Sequence, residues 1–209
     1  MMTATTHRAI RDTRLVAILR SPDTDRLAAA AHVLVEEGVR VLEFPLTSPG
    51  ALDALRHTVE VLDGRAVVGA GTVRTVDEAQ RALDAGARFL VSPSLSVPVI
   101  EYAHAHDTAV LPGTFTPTEI CTALEAGAEL VKLFPAASHQ PEFLRQLRVP
   151  LPEADVVPTG GVGLADAAAW LAAGAVALGV GSPLTGDTLE TGDFAQLRVR
   201  ARAWKAAVS

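Results

Sequence analysis

The chain has 209 residues, 18 basic and 24 acidic, for a formal charge of −6; 49% of it is apolar and 4% aromatic. That length and apolar content suit a sizeable core rather than a disordered chain, and the lone Cys121 excludes an internal disulfide framework. The acidic balance without a basic stripe excludes a nucleic-acid partner, no apolar run reaches the roughly 20 residues of a membrane span, and the opening residues lack the apolar core of a secretory signal, so a soluble, cytoplasmic, single domain over residues 1–209 is expected.

A short helix near Ala4–Arg11 precedes the first apolar run. Eight such runs follow in order: Leu15–Leu19, Val39–Leu46, Ala66–Gly71, Arg88–Ser92, Thr108–Pro112, Glu129–Phe134, Asp155–Thr159 and Ala175–Gly179. Segments of helical spacing separate them, among them Thr24–Glu37, Thr75–Asp84 and Ala165–Ala172. Alternation of this kind implies parallel strands, because each return crossing needs a helix. Apolar runs without polar alternation fit strands covered on both faces. Ser21-Pro22, Ser48-Pro49 and Thr116-Pro117 read as helix starts, and Thr75-x-x-Glu78 and Thr116-x-x-Glu119 as capping boxes. Gly38, Gly86, Gly127 and Gly174 stop the helices. The expected architecture is α/β, a small (β/α)8 TIM barrel behind a short N-terminal helix. An open doubly wound sheet is the alternative that the same pattern permits.

Only two of the basic residues are lysines. Lys205 lies on an Arg-rich amphipathic segment near the carboxyl end and reads as solvated. Lys132 interrupts the apolar run Glu129-Leu-Val-Lys-Leu-Phe-Pro135. Strand alternation turns Val131 and Leu133 toward the helices and Lys132 toward the interior. Burying an ammonium disfavours its charge, and a neutral amine in a dry pocket is what imine chemistry requires. Glu43 is its counterpart in Val41-Leu-Glu-Phe-Pro-Leu46. The second and sixth strands of an eight-stranded ring face each other, so the two side chains can converge. A plain structural ion pair is the bland account. A nucleophilic amine with a carboxyl general acid/base is the chemical one.

Pro158-Thr-Gly-Gly-Val162 runs into a helix, and Gly179-Val-Gly-Ser182 ends the last strand. Loops after the seventh and eighth strands commonly cradle phosphate with backbone amides and a helix N-terminus. Val68-Gly-Ala-Gly-Thr72 brings small residues and a hydroxyl to the same rim, and Arg20 ends the first strand as a candidate carboxylate clamp. Metal chemistry is poorly supported: His7, His32, His57, His104 and His106 fall mostly on helices, and His139 stands alone near the mouth. Cys121, Tyr102, Trp170 and Trp204 read as packing residues on helices.

The ordered set Val41-Leu-Glu43, Val68-Gly-Ala-Gly-Thr-Val73, Val91-Ser-Pro93, Leu111-Pro-Gly113, Val131-Lys-Leu-Phe-Pro-Ala136, Pro158-Thr-Gly-Gly-Val162 and Gly181-Ser182 resembles the 2-keto-3-deoxy-6-phosphogluconate / 4-hydroxy-2-oxoglutarate aldolase family. The match runs from about Leu15 to Leu184. The resemblance implies a class I aldolase, without metal or cofactor and commonly trimeric. Its partners would be pyruvate and a phosphorylated keto acid. It implies Lys132 as the Schiff-base lysine and Glu43 as general acid/base. Arg20, Thr72, Pro93, Phe134 and Thr159 would contact substrate, with Gly160, Gly161, Gly181 and Ser182 near the phosphate. One departure matters: Thr47 stands where many phosphogluconate-type members carry an arginine. Glu43-Phe-Pro-Leu-Thr-Ser-Pro49 is instead similar to the 6-phosphogalactonate branch, in which an arginine also occupies the place of Arg20. Pro158-Thr159-Gly160 is more similar to the phosphogluconate branch. A phosphosugar isomerase, or a silent barrel that binds a small anion, are the competing functions; neither needs an amine in the pocket.

Overall fold

The computed structural model describes residues 2–209. Helix α1 (Met2–Thr13) precedes strand β1 (Leu15–Ile18). Helices and strands then alternate: α2 (Thr24–Glu36), β2 (Val41–Pro45), α3 (Ala51–Leu62), β3 (Val67–Gly71), α4 (Val76–Asp84), β4 (Phe89–Val91), α5 (Val97–Ala105), β5 (Ala109–Leu111), β6 (Gly113–Thr114), α6 (Pro117–Glu125), β7 (Leu130–Leu133), α7 (Pro141–Leu147), β8 (Asp155–Pro158), α8 (Ala167–Ala172) and β9 (Leu178–Val180). Two short helices, α9 (Ser182–Thr185) and α10 (Thr188–Thr191), lead to the closing helix α11 (Phe194–Val208).

The capping chemistry explains most helix starts. Thr116 and Glu119 form the reciprocal capping box, and the Thr75 hydroxyl accepts from the Glu78 amide at 3.1 Å. Two expected starts lie later than Ser-Pro suggests. Helix α2 begins at Thr24 because the Asp23 carboxylate caps it, and α3 begins at Ala51 behind a left-handed Gly50. The helix-ending glycines Gly86, Gly127 and Gly174 all have φ near 100°, as a left-handed stop requires.

All strand pairings are parallel. Six strands run in the order β5-β4-β3-β2-β1-β9, and three in the order β6-β7-β8. The fifth apolar run, Thr108–Pro112, holds β5, and a two-residue strand, β6, follows directly beyond it. Pro112 lies between them and has no N–H for the ladder, although its carbonyl still accepts from the Lys132 amide at 2.9 Å. At the other seam Thr159 bridges Gly179, and the Val176 amide donates to the Val156 carbonyl at 3.1 Å. The fold is thus an α/β fold on a parallel, curled sheet.

Two apolar clusters follow from strand alternation. Val16, Val41, Phe89, Val91, Leu111, Leu130 and Val157 meet inside the curl, with Ile10 of α1 reaching in from one end. Leu42, Phe44, Val131, Leu133 and Val156 face outward against the helices. Lys132 falls between Val131 and Leu133, on the inward face, as its place in the strand predicts. Trp204, at 1% exposure, anchors α11, and its indole N–H donates to the Pro183 carbonyl at 3.2 Å. Among the described residues no helix is long and apolar enough to cross a membrane.

Candidate active site

A cavity of about 340 Å³ opens at the carboxyl ends of the strands. Every residue singled out from the sequence lines it: Arg20, Glu43, Thr72, Pro93, Lys132, Phe134, Thr159, Gly160, Gly161, Gly181 and Ser182. Ile18, Val162, Gly179, Val180 and Pro183 complete the lining; Val162, Gly179 and Val180 belong to the two glycine motifs, and Ile18 and Pro183 had no sequence signal of their own. They are apolar or small and carry only the shape of the wall.

Lys132 and Glu43 are both buried, at 7% and 3% exposure. Among the described residues neither forms an ion pair within 4.0 Å, so the bland account of a closed structural pair does not describe this geometry. The Lys132 Nζ stands 4.7 Å from the centre of the Phe134 ring, a cation–π contact two residues along the same strand face. Burial pushes the Glu43 carboxyl above the usual carboxylate range; the charges of Lys132 and Arg20 pull the other way and are outweighed. A carboxyl that holds its proton more tightly than usual is suited to both giving and taking a proton.

The rim carries a guanidinium, hydroxyls and glycine loops. Arg20 is exposed and donates from Nη1 to the Thr47 hydroxyl at 2.8 Å. The guanidinium thus reaches across to Thr47, beyond β2. Thr159 is buried, and its hydroxyl donates to the Val157 carbonyl at 3.2 Å. Thr72 has φ 57°, a left-handed conformation that is costly for a β-branched residue. Strain of this kind gathers at ligand sites.

The two glycine loops differ from expectation in one respect. Gly160–Gly161 does not enter a helix directly. A 3-10 turn, Leu164–Asp166, comes first, and α8 has only six residues; α9, after Gly181, has four. Helices this short have small dipoles. Bare amides matter more here: among the described residues none accepts from the amides of Gly161 or Ser182.

The residues set aside keep to their helices. The ring of His139 stacks on Phe143 at 4.2 Å and lies 4.6 Å from Phe115. Lys205 is half-buried rather than solvated, and donates to the Gly38 carbonyl at 3.2 Å.

Known proteins are similar to this chain over most of its length. A family model described as "Aldolase: KDPG and KHG aldolase" matches residues 6–199. The 2-dehydro-3-deoxy-6-phosphogalactonate aldolase of Escherichia coli is 34% identical over 171 residues, 81% of this chain and 83% of that enzyme. The 2-dehydro-3-deoxy-phosphogluconate aldolase of Treponema pallidum is 32% identical over 194 residues, 90% of each chain. The 2-keto-3-deoxy-6-phosphogluconate aldolase of Zymomonas mobilis, solved with 3-phosphoglycerate, superposes with a TM-score of 0.87 at 28% identity, covering 98% of this chain and 96% of that one. With a buried lysine and a buried carboxyl in one cavity and a match that spans nearly the whole sequence, the chain belongs to the KDPG and KHG aldolase family.

Proposed function

We propose that the protein is a class I aldehyde-lyase that reversibly cleaves a 2-keto-3-deoxy-6-phospho sugar acid to pyruvate and glyceraldehyde 3-phosphate. The observation that carries this reading is the burial of Lys132 and Glu43 in one cavity whose rim holds Arg20 and two glycine loops. The Lys132 amine adds to the C2 ketone, and the carbinolamine loses water to give a protonated imine. Glu43, directly or through water, takes the proton of the C4 hydroxyl. The C3–C4 bond breaks, its electron pair enters the imine to form an enamine, and the aldehyde leaves. Glu43 returns a proton to C3, and water releases pyruvate and the free amine. Phe134, Pro93 and Thr159 shape the wall around the reacting carbons. Arg20 and Thr72 hold the substrate carboxylate, and the amides near Gly160, Gly161 and Gly181, with the Ser182 hydroxyl, hold the phosphate.

The phosphogluconate-type substrate is favoured by Pro158-Thr159-Gly160. The phosphogalactonate epimer is the second reading, favoured by the contact of Arg20 with Thr47; 4-hydroxy-2-oxoglutarate is a third substrate the same lysine would cleave. We also infer that the curled sheet closes as one (β/α)8 barrel over residues 1–209. The seam contacts of Thr159 with Gly179 and of Lys132 with Pro112 support this. A cytoplasmic homotrimer is the assembly that family membership favours.

The test is incubation with pyruvate and borohydride, followed by intact mass and peptide mapping. One reduced pyruvate adduct on Lys132 is expected. An adduct on Lys205, or none in enzyme that turns over, overturns the Schiff-base assignment.

A further inference from the structure

The carboxyl of Glu43 needs something to hold it. Among the described residues it takes no hydrogen bond from a side chain or amide, and its burial is nearly complete. Its position is set by shape, and the neighbour that matters is on β3. Glu43 pairs with Gly69 in the β2–β3 register, and Gly71 lies two residues further along. A Cβ added at Gly71 would lie 1.9 Å from Glu43 Oε1, 2.6 Å from its Cδ and 2.8 Å from its Cγ. Its three nearest atoms all belong to Glu43. Gly71 does not line the cavity; it stands behind the carboxyl, which rests on the bare backbone of β3.

We infer that Gly71 is a positioning residue for the aldol chemistry: the missing side chain is the recess that seats the Glu43 carboxyl. This rests on the aldolase reading above. Three features distinguish the role from ordinary tight packing. Gly71 lies in a strand and its φ is outside the left-handed region, so alanine fits the backbone without strain. The obstructing atoms are the free end of one side chain rather than backbone, so the obstruction can be relieved by moving the carboxyl. That movement leads away from β3 and into the cavity, where the carboxyl no longer sits at its working distance. Gly69 supplies the contrast. A Cβ there would enter the Phe89 ring at 2.4 Å, inside the apolar cluster, so glycine at 69 serves packing and glycine at 71 serves the site.

The experiment is a set of four enzymes: wild type, Gly71→Ala, Glu43→Asp and the double variant. Each is assayed for kcat, KM, its pH profile, thermal unfolding and pyruvate–borohydride trapping. Gly71→Ala is expected to lose about 10²-fold in kcat, the scale of a misplacement near 1 Å, with KM, melting temperature and trapping close to wild type. The acid limb of its kcat profile should move, because the displaced carboxyl changes its surroundings. Aspartate is one methylene shorter and relieves part of that contact, with its Cγ still at the 2.8 Å position. The double variant should therefore be more active than the product of the two single losses. Near-normal kcat in Gly71→Ala, additive losses in the double variant, or unfolding that Glu43→Asp does not relieve would each overturn the inference. Absence of a pyruvate adduct in wild type would instead overturn the aldolase reading itself.

Discussion

Burial acts on Glu43 more strongly than its two cationic neighbours do, and this sets the sign of its pH dependence. The carboxyl lies above its ordinary value of 4.5, so the folded state binds this proton more tightly than the unfolded chain. Its stabilising contribution is present below the ordinary carboxylate range and is lost as pH rises through the raised value. Glu43→Gln removes that loss. The variant should gain stability relative to wild type as pH rises toward neutrality, measured by denaturant unfolding at several pH values, and turnover should fall by about 10² to 10⁴. In the wild type the acid limb of kcat should lie above 4.5. Arg20→Ala removes one of the charges that pull the carboxyl down, so it should move the limb further up and raise the pyruvate KM. Thr47→Ala should do much less, because Thr47 only accepts the Arg20 hydrogen bond. Equal effects of the two substitutions would take the carboxylate site away from β1. Lys132 and Glu43 were legible in the sequence because a charge inside an apolar strand demands an explanation. Gly71 was read only as a small residue that leaves room. What it leaves room for depends on the side-chain contact across two strands, and no spacing in the chain encodes that. The left-handed backbone of Thr72 was equally invisible, since threonine does not ordinarily choose it.

At the scale of elements, local chemistry was legible where a side chain closes onto its own helix. Thr116 closes the capping box its spacing suggests, whereas Thr75 makes only the N-cap half and the Glu78 carboxylate accepts from the Arg74 amide instead. Ser21-Pro22 and Ser48-Pro49 misplace two helix starts because Asp23 and Gly50 lie closer to the first turn. The fifth run ends at Pro112, as the structure has it, but the two-residue β6 beyond it carries no signal, because Gly113 and Thr114 make no apolar run. The loop after β8 combines both lessons. Gly160 and Gly161 both have φ 84°, a conformation that costs an ordinary residue roughly 1–2 kcal/mol. A Cβ on Gly161 would also lie 2.4 Å from the Ala137 Cβ, pressing on the turn after β7. Gly161→Ala should therefore lower the melting temperature and cut kcat/KM for the phosphorylated substrate. Cleavage of 4-hydroxy-2-oxoglutarate, which has no phosphate, should change little, because Lys132 and Glu43 stay in place. Equal loss on both substrates would make this loop a support for the sheet rather than an anion seat.

Across the whole molecule the two ends of the curled sheet do different work. The cavity occupies the carboxyl ends of the strands. At the opposite end α1 acts as a plug: Ile10 is fully buried in the inner cluster beside Val16, Val41 and Leu130. His7 Nδ1 pairs with Glu129 at 2.8 Å, and the Arg11 guanidinium with Asp155 at 2.7 Å, fastening the helix to the starts of β7 and β8. The alternating pattern made the parallel strands legible, but neither their order, which an open sheet would also have allowed to differ, nor this plug, whose role depends on how the sheet curls. Such a division predicts separable defects. Ile10→Ala leaves a cavity in a closed core and should cost about 2–5 kcal/mol, read as a lower unfolding midpoint. Its kcat/KM, assayed well below that midpoint, should stay near wild type, because no atom of the cavity moves with α1. Ser182→Ala should do the reverse: an exposed hydroxyl contributes little to folding, but its loss should weaken binding of the phosphorylated substrate. The two sites share no partner, so in the double variant both defects should add. A loss of kcat in Ile10→Ala without a loss of stability would show that the plug is coupled to the chemistry, and that the inner cluster transmits its position to Lys132.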